Sequence, residues 1–222
     1  MTLKIYANPG SGSACVEAVM SELKLPFERV LVNYTEDGID DPDFIRINPR
    51  CQVPALVLEN GACLTETLAI LMHLADTHPD AGLAPEPGSF ERARLDQWMS
   101  FTLANIYEGE LRKNYPHRYV VGDPDPVEAA AEAFVLDNYR ILEAACRGPY
   151  FFGEALTLLD VYLWMFVNWF EDLEEITRDC PKIITLAENV MKRPQIAPVH
   201  RYNFGEGLGW PEASMVGNAG DA

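Results

Sequence analysis

The chain has 222 residues, 48% of them hydrophobic, which is ample for a buried core in one large domain or two small ones. Its formal charge is -17, from 34 acidic against 17 basic residues, and such a surface repels phosphate backbones, so nucleic-acid binding is disfavoured. There is no uninterrupted apolar run of about 18 residues, so no membrane span is expected. The start, Met1-Thr2-Leu3-Lys4-Ile5, reads as a strand entry without the apolar core and cleavage site of a secretory signal, and a cytoplasmic location is expected. Five cysteines (Cys15, Cys51, Cys63, Cys146 and Cys180) at irregular spacing, with no CxxC and only four scattered histidines, support neither a disulfide framework nor a metal site.

Leu3 to Ala7 reads as a short strand, and Pro9-Gly10-Ser11-Gly12 as a turn. Ser13 or a neighbour caps a helix expected to run to about Lys24, with Val16, Val19, Met20 and Leu23 on one face, and Leu25-Pro26 ends it. Phe27 to Val32 alternates as a second strand, Asn33 to Asp43 is a polar loop, and a short helix covers Phe44 to Ile47 before Asn48-Pro49. Ala55 to Leu58 is a strand, Asn60-Gly61 the strongest hairpin signal in the chain, and Ala62 to Leu64 the return strand. Thr65 then caps a helix carrying Leu68, Leu71, Met72 and Leu74.

A segment rich in Pro and Gly follows, after which amphipathic patterns run over Ser89–Lys113, Val127–Cys146, Leu158–Asp172, Lys182–Lys192 and Gln195–Arg201. The expected fold is α+β with two domains. A thioredoxin-like α/β domain occupies 1–78, a linker 79–88, an all-α helical-bundle domain 89–204, and an irregular tail 205–222. Thr157-Leu-Leu-Asp160 has the spacing of a capping box, with Leu156 placed as a hydrophobic staple, and its role is in folding.

Three short segments carry the chemistry. Proline in Val53-Pro54 admits a cis bond at small cost, which would present the Val53 backbone N–H and C=O to an extended ligand; a plain edge-strand start is the alternative. Glu66-Thr67 stands at a helix start, where free N–H groups and the dipole favour an anion, although simple capping accounts for the same residues. Ser11 and Ser13 lie in the turn before the first helix, either as turn and cap residues or as hydroxyl donors to a sulfur anion. No His–Asp pair is visible to make either serine a nucleophile.

In this order, Pro9-Gly10-Ser11-Gly12-Ser13, Gln52-Val53-Pro54-Ala55-Leu56 and Leu64-Thr65-Glu66-Thr67, followed by a helical stretch, resemble a cytosolic glutathione transferase over nearly the whole chain. The resemblance implies glutathione as co-substrate and no metal. Glutathione would be held by Gln52, Val53, Pro54, Glu66, Thr67 and Arg50, with Thr67 at the γ-glutamyl carboxylate, Glu66 at its ammonium, and Gln52 and Arg50 at the glycyl end. Ser11 and Ser13 are the catalytic candidates for stabilising the thiolate, since a thiol of pKa about 8.5 is little ionised at neutral pH. Tyr107, Leu103 and Leu111 would line the site of an apolar electrophile.

Thr67 departs mildly from the usual serine, and Cys51 stands where relatives commonly have glycine. Against the bacterial beta-type pattern the active-site cysteine falls on Gly12 and the histidine of the first long helix on Tyr107, so a mechanism through a protein thiol is not supported; Cys15 reads as a buried apolar residue. The resemblance further implies a homodimer. A glutathione-dependent lyase, dehalogenase, isomerase or disulfide reductase on the same fold, or a non-catalytic interaction module, remains the alternative.

Overall fold

The computed structural model describes residues 2–32, 39 and 41–210, so most of the loop expected over Asn33 to Asp43, and the tail beyond Trp210, lie outside the described residues. The first half runs β1 (Leu3–Ala7), α1 (Ser13–Glu22), β2 (Phe27–Leu31), α2 (Pro42–Ile47), β3 (Ala55–Val57), β4 (Cys63–Thr65) and α3 (Thr67–Thr77). The strands form one mixed sheet in the order β2-β1-β3-β4, with β1 parallel to β2 and antiparallel to β3, and β3 antiparallel to β4. This is the thioredoxin-like arrangement the element order predicts.

The β3–β4 connection is a hairpin, and Asn60-Gly61 sits in it. Leu58 and Ala62 close a three-residue loop, through Leu58 N–H to Ala62 O at 2.8 Å, with Gly61 at φ 83 and the Asn60 side chain accepting from Ala62 N–H at 2.9 Å. α2 begins earlier than expected, because Asp41 caps it by accepting from the Asp43 and Phe44 N–H groups.

Thr65 does not cap α3. It is still paired with Ala55 in the β4 ladder, and the chain reverses at Glu66 (φ 65, ψ 112), which holds the cap position without a side-chain hydrogen bond.

After a short 3-10 turn at Pro79–Ala81, the second half is helical. Its α4 (Phe90–Phe101) is capped by Ser89, whose hydroxyl accepts from Arg92 N–H at 3.1 Å. The single helix expected over Ser89–Lys113 is instead divided. A π-helical segment, Thr102–Tyr107, separates α4 from α5 (Glu108–Asn114), displacing the register of every later side chain on that rod. Next come α6 (Asp125–Ala145), α7 (Leu158–Val167), α8 (Glu174–Asp179), α9 (Pro181–Met191) and α10 (Ala197–Phe204).

α7 stops at Val167, short of the expected Asp172. Asn168 takes the C-cap position, and its side-chain amide donates to Trp164 O at 2.7 Å. α8 gives no clear signal in the sequence, being six mostly exposed residues with only Ile176 buried.

Two helices organise the core. Every residue of α7 is buried, in keeping with an apolar sequence that has no polar stripe. α1 is buried from Ser13 to Met20 on all faces, not along one stripe, because it lies between the sheet and the helical half, packing on β1, α3, α7 and α10. The two halves are further tied by Arg92 of α4, which donates to Asp76 of α3 at 2.5 Å and to Asp96 at 2.8 Å, and by Arg193, which pairs with Glu22 of α1. Among the described residues no helix is long and apolar enough to cross a membrane.

The capping box at α7 is complete. The Asp160 carboxylate, fully buried, accepts from Thr157 N–H at 2.6 Å, the Thr157 hydroxyl at 2.8 Å and Phe151 N–H at 2.6 Å. Burial pushes its pKa up to about 6, against the three donors, which favour the ionised form. Asp160→Ala therefore leaves two buried backbone N–H groups without an acceptor. It is expected to cost roughly 2–4 kcal/mol and to lower Tm by several degrees in a thermal melt. An unchanged melt would remove the capping role.

Candidate functional site

A cavity of about 1040 Å³ opens between the sheet half and the helical half. One wall is the turn after β1, from Asn8 to Gly12; a second is the segment Arg50 to Pro54 leading into β3; the third is the start of α3 at Glu66 and Thr67. The helical half closes it with Leu103, Tyr107 and Leu111 and, toward the C-terminus, Trp169 and Trp210.

Each wall has a local cause. Asn48 is buried and ties the approach to β3: its amide N–H donates to Gln52 O at 2.7 Å and its Oδ1 accepts from Arg50 N–H at 3.1 Å. Cys51 within this loop adopts φ 52, the left-handed conformation that glycine takes more readily, so the loop keeps its shape with a strained cysteine. Arg50 Nε donates to Gln52 Oε1 at 3.0 Å, leaving the Gln52 amide N–H and the guanidinium ends available as donors. The Val53–Pro54 peptide is cis, and among the described residues no partner takes the Val53 backbone N–H or C=O.

At α3 the first-turn N–H groups have no side-chain cap, since Glu66 supplies none. The helix thus presents unfilled donors and the positive end of its dipole to the cavity, beside the Thr67 hydroxyl.

Arg50, Gln52, Val53, Pro54, Glu66, Thr67, Leu103, Tyr107, Leu111 and Ser11 all line this one cavity. Ser13 does not: it is fully buried behind the turn, where its hydroxyl donates to Asn8 O at 3.2 Å. Ser11 Oγ accepts from Ser13 N–H at 3.2 Å and lies 3.0 Å from Ser13 Oγ. With the Ser13 proton on Asn8, the Ser11 hydroxyl has Ser13 Oγ and the open cavity as its two acceptor directions.

Cys15 is buried, its thiol donating to Gly12 O, and burial pushes its pKa far up, so it offers no thiolate to the cavity. Trp164 is a core residue whose indole N–H reaches His200, and Asn105 turns back on Phe101 O, so neither forms part of the cavity wall. Trp169 and Trp210 belong to it. No local pattern assigns either of them to the cleft, because each meets the turn from well over a hundred positions away in the chain. Beyond Leu111 the cavity becomes polar, with Glu108, Asn114, His117 and Arg118, so the apolar character expected of the electrophile site is confined to one wall.

A thioredoxin-like domain joined to a helical domain, with an anion-receptive helix start and an exposed strand approach facing one cleft, defines the class. Comparison with known proteins agrees. Residues 1–76 match the glutathione S-transferase N-terminal domain and residues 126–199 the glutathione S-transferase C-terminal domain. The chain is 31% identical over 203 residues to the uncharacterized GST-like protein YncG of Escherichia coli K12, covering 90% of this chain and 98% of that one. It is 24% identical to glutathione S-transferase GstA of Escherichia coli O157:H7, covering 87% and 95%. Among solved structures, a Sulfitobacter glutathione transferase homologue with bound glutathione superposes with a TM-score of 0.77 at 30% identity, covering 89% of this chain and 96% of that one. The chain belongs to the glutathione S-transferase family.

Glu110 of α5 is a buried carboxyl at the polar end of the cleft. Its partners are Asn114 Nδ2 at 3.2 Å and, more distantly, Lys113 at 4.0 Å. Burial pushes its pKa up to about 7, with Lys113 opposing. A carboxyl raised in the folded state favours folding most below its unfolded pKa of about 4.3 and loses that contribution as pH climbs to 7, a difference on the order of 2–4 kcal/mol. Glu110→Gln removes the titration. Urea unfolding should show the variant gaining on the wild type between pH 4.5 and 7.5 (roughly the window these pKa values set). A stability gap independent of pH would refute the assignment.

Proposed function

We propose that this protein is a glutathione transferase, which binds glutathione in the sheet-side half of the cleft and adds its thiolate to an electrophile held by the helical half. The observation that carries the reading is the placement, in one cleft, of the unpartnered Val53 backbone groups and the uncapped start of α3. The first pairs strand-like with the ligand's cysteinyl backbone. The second, with the Thr67 hydroxyl, receives the γ-glutamyl carboxylate, while Glu66 takes the ammonium. Gln52 and Arg50 donate to the glycyl carboxylate at the other end. The Sulfitobacter homologue and a sphingomonad glutathione S-transferase, 29% identical with a TM-score of 0.75, both hold glutathione, which supports the same ligand here.

The wall of Leu103, Tyr107 and Leu111 receives the apolar part of the electrophile, and the polar end near Glu108 and Arg118 admits a polar substituent. The rate gain comes from holding the two reactants together and from stabilising the thiolate. A cytoplasmic homodimer belongs to the same reading, and light scattering should return about twice the 24.8 kDa chain mass.

Glutathione binding is tested by calorimetry, with an aryl halide conjugation assay beside it. Wild type is expected to bind and turn over. Thr67→Ala, which removes one anchor hydroxyl, is expected to weaken binding about tenfold, equivalent to about 1.4 kcal/mol, with an unchanged melt. A wild-type protein that shows no heat with glutathione and is not retained on immobilised glutathione would defeat the reading.

A further inference from the structure

Along α5 the cavity wall is a single helix face. Tyr107, Glu110, Leu111 and Asn114 all line it, at offsets that an α-helix brings to the same side. The Tyr107 side chain ends beside Gly12 of the turn after β1. Glu110 follows one helical turn on, about 4.5 Å along the axis.

Glu110 is the anomaly on this face. The residue is 1% exposed, and its Oε1 has no hydrogen-bond partner among the described residues. Buried carboxyl oxygens are almost always paired, because an unpaired one leaves its desolvation cost uncompensated. The other oxygen, Oε2, accepts from Asn114 Nδ2 at 3.2 Å, and the same Nδ2 also donates to Glu110 O at 2.9 Å. With both amide protons engaged, Asn114 offers only its Oδ1 to the cavity. The Tyr139 hydroxyl of α6, close enough to sense the Glu110 charge, makes no hydrogen bond to it and lies off the wall.

The polar end of the cleft therefore presents acceptors without donors, and the charges around them narrow the choice of donor. Glu108 and Glu171 on the wall disfavour an anionic group. Lys113, 4.0 Å from the Glu110 carboxyl, and Arg118, whose guanidinium lies 4.1 Å from the Tyr115 ring centre, disfavour a cationic one. A neutral hydroxyl meets neither objection.

We propose that Glu110, with Asn114 beside it, selects electrophiles that carry a neutral hydroxyl, a phenol or an alcohol, at the end remote from the reacting carbon. The inference rests on the glutathione reading above and deepens it by naming the substrate class. An electrophile joined to sulfur near the turn lays its apolar body along Leu103, Tyr107 and Leu111. Its hydroxyl then donates to Glu110 Oε1 or Asn114 Oδ1, one turn of α5 farther along.

The test uses stable thioether conjugates, so that binding is read without turnover. Calorimetry compares S-benzylglutathione with its 3- and 4-hydroxybenzyl, 3- and 4-methoxybenzyl and 4-carboxybenzyl analogues. Wild type is expected to bind one hydroxybenzyl isomer about tenfold more tightly than the benzyl and methoxybenzyl compounds, and the carboxybenzyl compound more weakly. Glu110→Met keeps the length of the side chain and removes the acceptor. It is expected to abolish the hydroxyl preference while leaving S-benzylglutathione affinity within about threefold. Glu110→Gln is the sharper variant. Asn114 N–H holds the new carbonyl at the Oε2 position, so the amide nitrogen takes the place of Oε1 and an acceptor becomes a donor. The gap between the hydroxybenzyl and methoxybenzyl compounds is then expected to close, which altered packing alone does not produce. Equal binding of the benzyl and both hydroxybenzyl compounds by wild type would overturn the proposal and leave the glutathione reading standing. So would a hydroxyl preference that survives Glu110→Met, or a carboxybenzyl compound that binds most tightly. No binding of glutathione or of any conjugate overturns both.

Discussion

The cleft depends on one peptide, that of Gly10. Its N–H donates to Asn203 Oδ1 at 3.1 Å and its carbonyl accepts the Trp169 indole N–H at 2.8 Å. Both partners come from the far end of the helical half, so the turn that opens the site is registered directly to the domain that faces it. The φ of 75 calls for glycine here, and a Cβ would in addition stand a tight 3.0 Å from the Trp210 ring. Buried hydrogen bonds of this kind each contribute on the order of 1 kcal/mol net, but losing one partner strands the other, so they fix geometry more strongly than they add stability.

That clamp works because its supports are themselves immobile. Asn203 is buried on α10, with its amide N–H on Val199 O at 3.0 Å. Trp169 follows the C-cap of α7, the helix buried on every face and started by the Asp160 network. α1 leaves the turn and runs straight into the space between sheet and helices. Turn, α1 and α7 thus form one packed unit, in which a change in helix start or core volume is transmitted to the cleft without an intervening flexible segment.

What was legible in the sequence was what local rules govern. The Asn60-Gly61 hairpin, the Thr157–Asp160 box and the Val53-Pro54 approach are each decided within a few residues, and the structure has all three. The Thr65 cap was misplaced because ladder pairing with Ala55 overrides a local capping preference, and the left-handed Glu66 that results has no sequence signature. The π-helical segment was invisible for a related reason: Thr102 to Tyr107 fits an α-helical pattern well enough, and only packing against α6 and α7 selects the wider turn. Trp169, Trp210 and Asn203 were missed as cleft residues because their roles exist only once residues some 160 to 200 positions apart are brought together. Gly12 reads as a turn residue, and the closeness of the Tyr107 hydroxyl to it belongs to the assembled fold and to neither position alone.

The net charge of -17 bears on how a site of this kind admits an anionic peptide. Charges spread over the surface act through water and salt, and at physiological ionic strength their influence falls off over about 8 Å. Inside the cleft the relevant groups are close: the unfilled N–H groups of α3 at one end, next to the acidic Glu66, and Arg50 beside Gln52 at the other. An anion is therefore stabilised by local donors at short range, while the acidic exterior slows its approach. The expected consequence is an association rate that rises with added salt even as the bound-state contacts weaken, which distinguishes a locally receptive cleft from a broadly basic surface, where both would fall together.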